Sequence, residues 1–284
     1  MASGSSRLGI LAGGGALPRV IAREATAGGR DVHILAIDGS FGEWPDAPCP
    51  ITPVGMGQVG GILDVLRGNG CAELVIAGSV ERPEIARLRL DFGAVINLPR
   101  LAGIMLGGDN HLLTTVVRFF EVRGFQVLGA HEVAPRLLAE IGAIGRQRPG
   151  SQSERDLARG FEVARALGAL DIGQAAVVEK GYVLAVEAAE GTDVLLERVA
   201  ELRRRKNRLT GRRGGVLVKR VKPGQDRRVD LPTIGPRTVE LASAANLAGI
   251  GVHAGGVLLI ERERLIEIAD AAGLFVMGVL DDEH

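Results

Sequence analysis

Aromatic side chains are scarce, at 3% of the 284 residues. Proteins that grip single-stranded nucleic acid stack bases on such rings, and this chain has few to offer. Cysteine is scarce too, with Cys49 and Cys71 the two present. Two thiols argue against a disulfide framework or a cysteine-rich zinc site, so a reducing cytoplasm is the expected setting. An excess of one charge is also lacking, since 34 Lys and Arg balance 34 Asp and Glu. A general nucleic-acid binder needs a positive surplus, so no nucleic-acid partner is expected. No run approaches 18 uninterrupted apolar residues, which excludes a membrane-spanning helix as an expectation. The opening MASGSSR does not have the form of a secretory leader.

What is present suits a globular protein. Hydrophobic residues make up 46% of the chain, enough for large or multiple cores. Glycine, at 41 residues, is about twice its usual share but has no collagen-like period. In the first half, apolar runs alternate with helical stretches: 8–12, 31–38, 73–77 and 125–128 read as strands, and 16–27, 59–67 and 110–123 as helices. That alternation predicts a doubly wound parallel sheet over residues 1–134. Residues 142–156 are polar and rich in Gly, Ser and Arg, and 135–156 is expected to be a linker. Residues 157–284 predict a distinct α+β domain. It should hold a hairpin at 174–187, a helix at 193–206 with Thr192 as its cap, a strand at 215–219 and an irregular polar loop over 221–238. A helix at 237–247, a strand at 256–261, a helix at 262–272 and a last strand at 275–279 should follow.

Five segments carry candidate chemistry. Gly13, Gly14 and Gly15 sit between a strand and a helix, where backbone amides can cradle a phosphate or simply form a tight turn. Pro18 stands where a dinucleotide fingerprint needs glycine, which weakens a nicotinamide reading. Gly78 and Ser79 follow the third strand, at the end where ligands of open α/β sheets bind; a plain turn is the alternative. Asp109 and Asn110 could cap the helix behind them or contact a ribose or metal, with His111 adjacent. His131 and Glu132 follow the fourth strand; neighbours in an extended chain point apart, so a surface loop competes with a site. Residues 219–236 pack Lys219, Lys222, Asp226, Arg228 and Asp230 into a loop punctuated by Pro and Gly. Cations suit a pyrophosphate and carboxylates suit a hard metal such as Mg²⁺, while a solvated charged loop is the alternative. The basic stretch Arg203, Arg204, Arg205, Lys206, Arg208, Arg212 and Arg213 reads either as a helix end or as a contact for anionic lipid.

The segments 11–18 (LAGGGALP), 77–83 (AGSVERP), 108–113 (GDNHLL), 129–133 (GAHEV), 170–178, 184–193, 222–235 (KPGQDRRVDLPTIG) and 248–279 come in the order of a known family. Together they cover nearly the whole chain. The sequence resembles the UDP-2,3-diacylglucosamine pyrophosphatases of lipid A biosynthesis, in the LpxI form unrelated to the calcineurin-like metallophosphoesterases. The resemblance implies a Rossmann-like N-terminal domain and a distinct C-terminal domain, with the lipid substrate held between them. It implies Mg²⁺-dependent hydrolysis to UMP and 2,3-diacylglucosamine 1-phosphate (lipid X), by water attacking the phosphorus on the sugar side. The family's essential aspartate falls on Asp230, as metal ligand or proton acceptor, with Asp226 as a second candidate ligand. Ala12, Gly13, Gly14, Gly78, Ser79, Asp109, Gln174, Thr192, Lys219, Lys222, Arg228 and Thr233 become expected substrate contacts. Lys219, Lys222 and Arg228 would clamp phosphate oxygens, and Glu187 and Asp193 also match family positions. Asn110 stands where the family often has a second aspartate, and Ser79 where it often has Asn.

A lipid substrate in a leaflet implies an enzyme loosely attached at the cytoplasmic face of the membrane, with the Arg203–Arg213 cluster as the contact. A homodimer is the expected assembly by base rate. Two other readings compete: a Rossmann-type oxidoreductase, and a non-catalytic carrier of a nucleotide-linked lipid. A bound nicotinamide or flavin spectrum would mark the first, and binding without turnover the second.

Overall fold

The computed structural model describes residues 7–80, 109–206 and 213–280; the side chains of 109–112 and 206 lie outside that description. The chain divides into two units. One comprises Met1–Pro135 together with Asp226–Asp230, the other Arg136–Gln225 and Leu231–His284.

The N-terminal unit holds five parallel strands: β1 (Arg7–Ala12), β2 (Val32–Ile37), β3 (Ile51–Val54), β4 (Cys71–Ala77) and β5 (Gln126–Leu128). Their order is β3-β2-β1-β4-β5. Strands covered on both faces read as continuous apolar runs, and β2 is buried at every position. Helix α1 (Leu17–Ala27) starts with Pro18 in its first turn, where the missing amide costs nothing, and buries Ile21, Ala22 and Ala25. Helix α2 (Val59–Gly68) turns Ile62 and Leu66, four residues apart, into the core. Helix α3 (Asp109–Glu121) and the single turn α4 (Ala130–Val133) complete the unit. Strand order reverses between β1 and β4, so their carboxyl ends flank the switch point at which such sheets bind ligands. The doubly wound class expected from the sequence is the class observed.

The C-terminal unit contains β6 (Gly142–Ala143), α5 (Ser151–Ala169), β7 (Ala175–Glu179), β8 (Tyr182–Val186), α6 (Gly191–Lys206), β9 (Val216–Lys219) and β10 (Thr233–Ile234). It continues with α7 (Pro236–Ala244), β11 (Gly249–His253), β12 (Leu258–Leu259), α8 (Arg262–Ala271) and β13 (Phe275–Val279). A mixed six-stranded sheet has the order β6-β13-β11-β9-β7-β8, with β13, β11 and β9 parallel. A short parallel pair, β10-β12, stands apart from it. The β7–β8 hairpin turns at Lys180 and Gly181, both at positive φ, and the buried carboxylate of Asp156 accepts both turn amides at 3.0 and 2.8 Å.

Three expectations change here. The stretch 142–156 is not a plain loop: it holds β6, which pairs with β13, and the first turns of α5. The loop expected over 221–238 contains β10 and opens α7. Arg203 is not part of a surface cluster. It is 4% exposed and donates to Glu179 Oε2 at 3.1 Å, to the Gly214 carbonyl at 2.6 Å and to the Asn246 carbonyl at 3.1 Å. Arg213 donates to the Ala272 carbonyl and is exposed, as are Arg204 and Arg205 of that stretch.

Candidate functional site

The expected site residues fall into three groups, each internal to one unit. The first lies at the carboxyl ends of β1 and β4. Gly13 N–H donates to the Ala77 carbonyl at 2.8 Å, Gly14 N–H to the Ser79 carbonyl at 2.7 Å, and Ser79 N–H to the Gly14 carbonyl at 3.0 Å. The two turns are therefore laced to each other. Glycine is required by this approach: a Cβ at Gly13 would sit 2.5 Å from the Ser79 carbonyl oxygen. One at Gly78, whose φ is +94°, would sit 2.6 Å from the Gly14 oxygen. The structure thus brings Ala12, Gly13, Gly14, Gly78 and Ser79 together. It also corrects the expected phosphate cradle, because the amides of Gly13 and Gly14 already have backbone acceptors. Of this rim, Gly78 and Ser79 are exposed, and Ser79 brings the hydroxyl.

The second group is the turn Asp226–Asp230, which belongs to the N-terminal unit although its neighbours in sequence do not. Asp226 receives the Arg228 guanidinium as a fork, Nε to Oδ1 at 2.9 Å and Nη2 to Oδ2 at 2.8 Å. This ion pair holds the Asp226 carboxyl below its usual range and pushes Arg228 up. Arg228 also donates to Glu121 Oε1 at 2.6 Å. The expected roles of Asp226 as ligand and Arg228 as phosphate clamp must therefore compete with this pairing. Beside the turn, Glu132 accepts the Gly129 amide at 2.6 Å, which makes it a cap of α4. The His131 ring fills the space where a Gly129 side chain would stand, and burial lowers its pKa.

The third group is in the C-terminal unit and is a buried polar chain. Glu187 (5% exposed) accepts the Gln174 amide at 3.0 Å and the Thr192 hydroxyl at 2.5 Å. Thr192 (8%) accepts a hydrogen bond from Lys219 Nζ at 2.8 Å, and Lys219 (7%) also donates to the Thr233 carbonyl at 3.0 Å. Thr192 is not the expected helix cap. It lies inside the first turn of α6, and its hydroxyl links a carboxylate to an ammonium. Four of the expected residues, Gln174, Thr192, Lys219 and Thr233, meet here around Glu187. Lys222 stands elsewhere, paired with Asp171 at 2.8 Å.

Asp109 opens α3, but its side chain lies outside the described residues, as do residues 81–83 and the cations at 208 and 212. Among the described residues no three His, Cys, Asp or Glu side chains gather as a metal site. The described residues by themselves form no cage for a resident metal. They do fit Mg²⁺ held largely by a substrate's phosphates, which needs only one or two protein carboxylates. Burial pushes the Cys49 thiol up to about 11 and also raises Cys71, which disfavours the thiolate at both.

The architecture is that of a two-domain α/β protein with a glycine-lined switch point in one domain and a buried Lys–Thr–Glu chain in the other. Residues 7–137 match the LpxI N-terminal domain, and residues 140–277 match the LpxI C-terminal domain. A Caulobacter vibrioides protein named UDP-2,3-diacylglucosamine pyrophosphatase LpxI is 43% identical over 282 residues, spanning 98% of this chain and 99% of its own length. The chain belongs to the LpxI family.

Proposed function

We propose that this chain hydrolyses the pyrophosphate bond of UDP-2,3-diacylglucosamine, releasing UMP and 2,3-diacylglucosamine 1-phosphate with the help of Mg²⁺. The observation that carries this reading is the end-to-end match to a relative bearing that activity in its name, with both family domains in order.

In this reading a water attacks phosphorus, the P–O–P bond breaks, and the bridging oxygen leaves with the departing phosphate. Asp230 is the group we assign to the water's proton or to the cation. Mg²⁺, when bound, would neutralise the phosphates and lower the pKa of the water. Asp226 is left out of the ligand set because Arg228 takes both of its oxygens. Lys219 supplies a cation whose position is set by Thr192 and the Thr233 carbonyl. Lys222 is a further phosphate-binding candidate once released from Asp171. The glycine rim at Gly13, Gly14 and Gly78, with Ser79, would line the nucleoside. No helix among the described residues is long and apolar enough to cross a membrane, so we propose peripheral contact with the leaflet that holds the substrate.

The test is UMP release from UDP-2,3-diacylglucosamine with Mg²⁺ or EDTA, for wild type and Asp230→Ala. Loss of a proton-accepting carboxylate should slow release by about 10²–10⁴-fold. Titration of Mg²⁺ binding by calorimetry, with and without the unhydrolysed lipid, gives a readout apart from turnover. Tight substrate binding without release by wild type would leave a carrier instead.

A further inference from the structure

The turn that carries Asp230 is held by a residue 107 positions earlier in the chain. Within the turn, the amides of Val229 and Asp230 both donate to the Asp226 carbonyl at 3.2 Å. The Asp226 carboxylate folds back to accept the Arg228 amide at 3.1 Å and the forked guanidinium. Arg228 Nη1 then reaches Glu121 Oε1, on the last turn of α3, at 2.6 Å. Val229 packs against the core of the N-terminal unit. On another side Gly129 has no side chain, and a Cβ there would stand 3.2 Å from Arg228 Cα.

The side chains of Glu121 and Arg228 are 40% and 34% exposed. An ion pair at that exposure contributes little to stability. Its geometry contributes more. A guanidinium is planar and rigid, so a partner that fixes one edge fixes the orientation of the fork on the other. Glu121 sets the plane of Arg228, Arg228 sets the Asp226 carboxylate, and the Asp226 carbonyl holds the Asp230 amide.

We propose that Glu121 is a positioning residue for Asp230, acting through Arg228 and Asp226. The proposal rests on the assignment of Asp230 to the reaction made above. A group displaced by 1 Å loses about 10²-fold in rate. Glu121→Leu, which removes the acceptor, should lower kcat for UMP release about ten- to a hundredfold, with KM within about twofold. Glu121→Gln keeps an oxygen for Arg228 Nη1 and should retain most of the wild-type kcat. The substrate-independent readout is hydrogen exchange of the 226–230 amides in the full-length chain, which should quicken in Glu121→Leu and not in Glu121→Gln. Wild-type kcat with unchanged exchange in Glu121→Leu would overturn the proposal. So would a kcat loss accompanied by a lowered melting temperature and faster exchange throughout the N-terminal unit. If the wild type releases no UMP, the functional reading fails, and the exchange at 226–230 still decides whether Glu121 orders the Asp230 turn.

Discussion

Lys219 is buried and donates to Thr192, whose hydroxyl donates to Glu187, so the amine and the carboxylate are joined by a hydroxyl. Thr192→Val keeps the shape and deletes both bonds, at a cost of about 1–3 kcal/mol. Thr192→Ser keeps the hydroxyl and should stay within about 1 kcal/mol of wild type. Urea unfolding of both variants checks this, and equal midpoints would dismiss the relay. Backbone geometry decides a second residue. Gly78→Ala puts a Cβ against the Gly14 carbonyl at positive φ, so strain of roughly 1–3 kcal/mol is expected. A thermal melt reads that cost. Identities at these positions are legible from the sequence: Thr192, Lys219, Gly13 and Gly78 all stand out there. Partners are not. Nothing in a one-dimensional pattern says that the amides of Gly13 and Gly14 face carbonyls, or that Arg228 closes on Asp226 two residues before it.

At the scale of elements, the first half was readable because buried parallel strands leave uninterrupted apolar runs. The second half hid β11, one of its two central strands, and its longest described helix, and these two absences share a cause. Strand β11 has the sequence GIGVH, which lacks side chains at Gly249 and Gly251 and so reads weakly. Those gaps are filled from outside: a Cβ at Gly251 would strike Leu157 of α5, and one at Gly249 would strike Phe275 of β13. Helix α5 opens with SQSERD, polar residues that pass for a linker, and its own Gly160 lets Val218 of β9 come close. Helix and strand are each legible only in the other's presence. Gly251→Val would raise strand propensity locally, yet it should destabilise the protein by about 1–3 kcal/mol through overpacking against Leu157. A gain in melting temperature would show that α5 yields there.

At the scale of the molecule there are two units with separate cores. Scanning calorimetry should therefore show more heat than a single two-state transition explains. Val229→Ala removes apolar atoms from the N-terminal core and should lower the transition of that unit, although position 229 lies within the C-terminal family domain. Acid should also act on the N-terminal unit. Burial lowers His33 and His131, so the unfolded chain takes up protons near pH 6.5 before the folded one does, and stability falls as pH drops through that window. Asp226 is held low by Arg228; its contribution persists to more acidic pH and is lost as pH falls through its depressed value. Urea midpoints at pH 7.5 and 5.5 should differ in wild type and converge in His33→Gln/His131→Gln. An unchanged slope would remove burial of these rings as the cause.

The membership of Asp226–Asp230 also bears on how such a protein can be shuffled. A hybrid gene joined between the two family domains, near residue 138, would take its socket from one parent and its peg from the other. The socket is Glu121, Gly129 and the N-terminal core; the peg is Arg228 and Val229. The heritable module is discontinuous, so a working crossover has to carry five codons from the far end of the gene along with the front half.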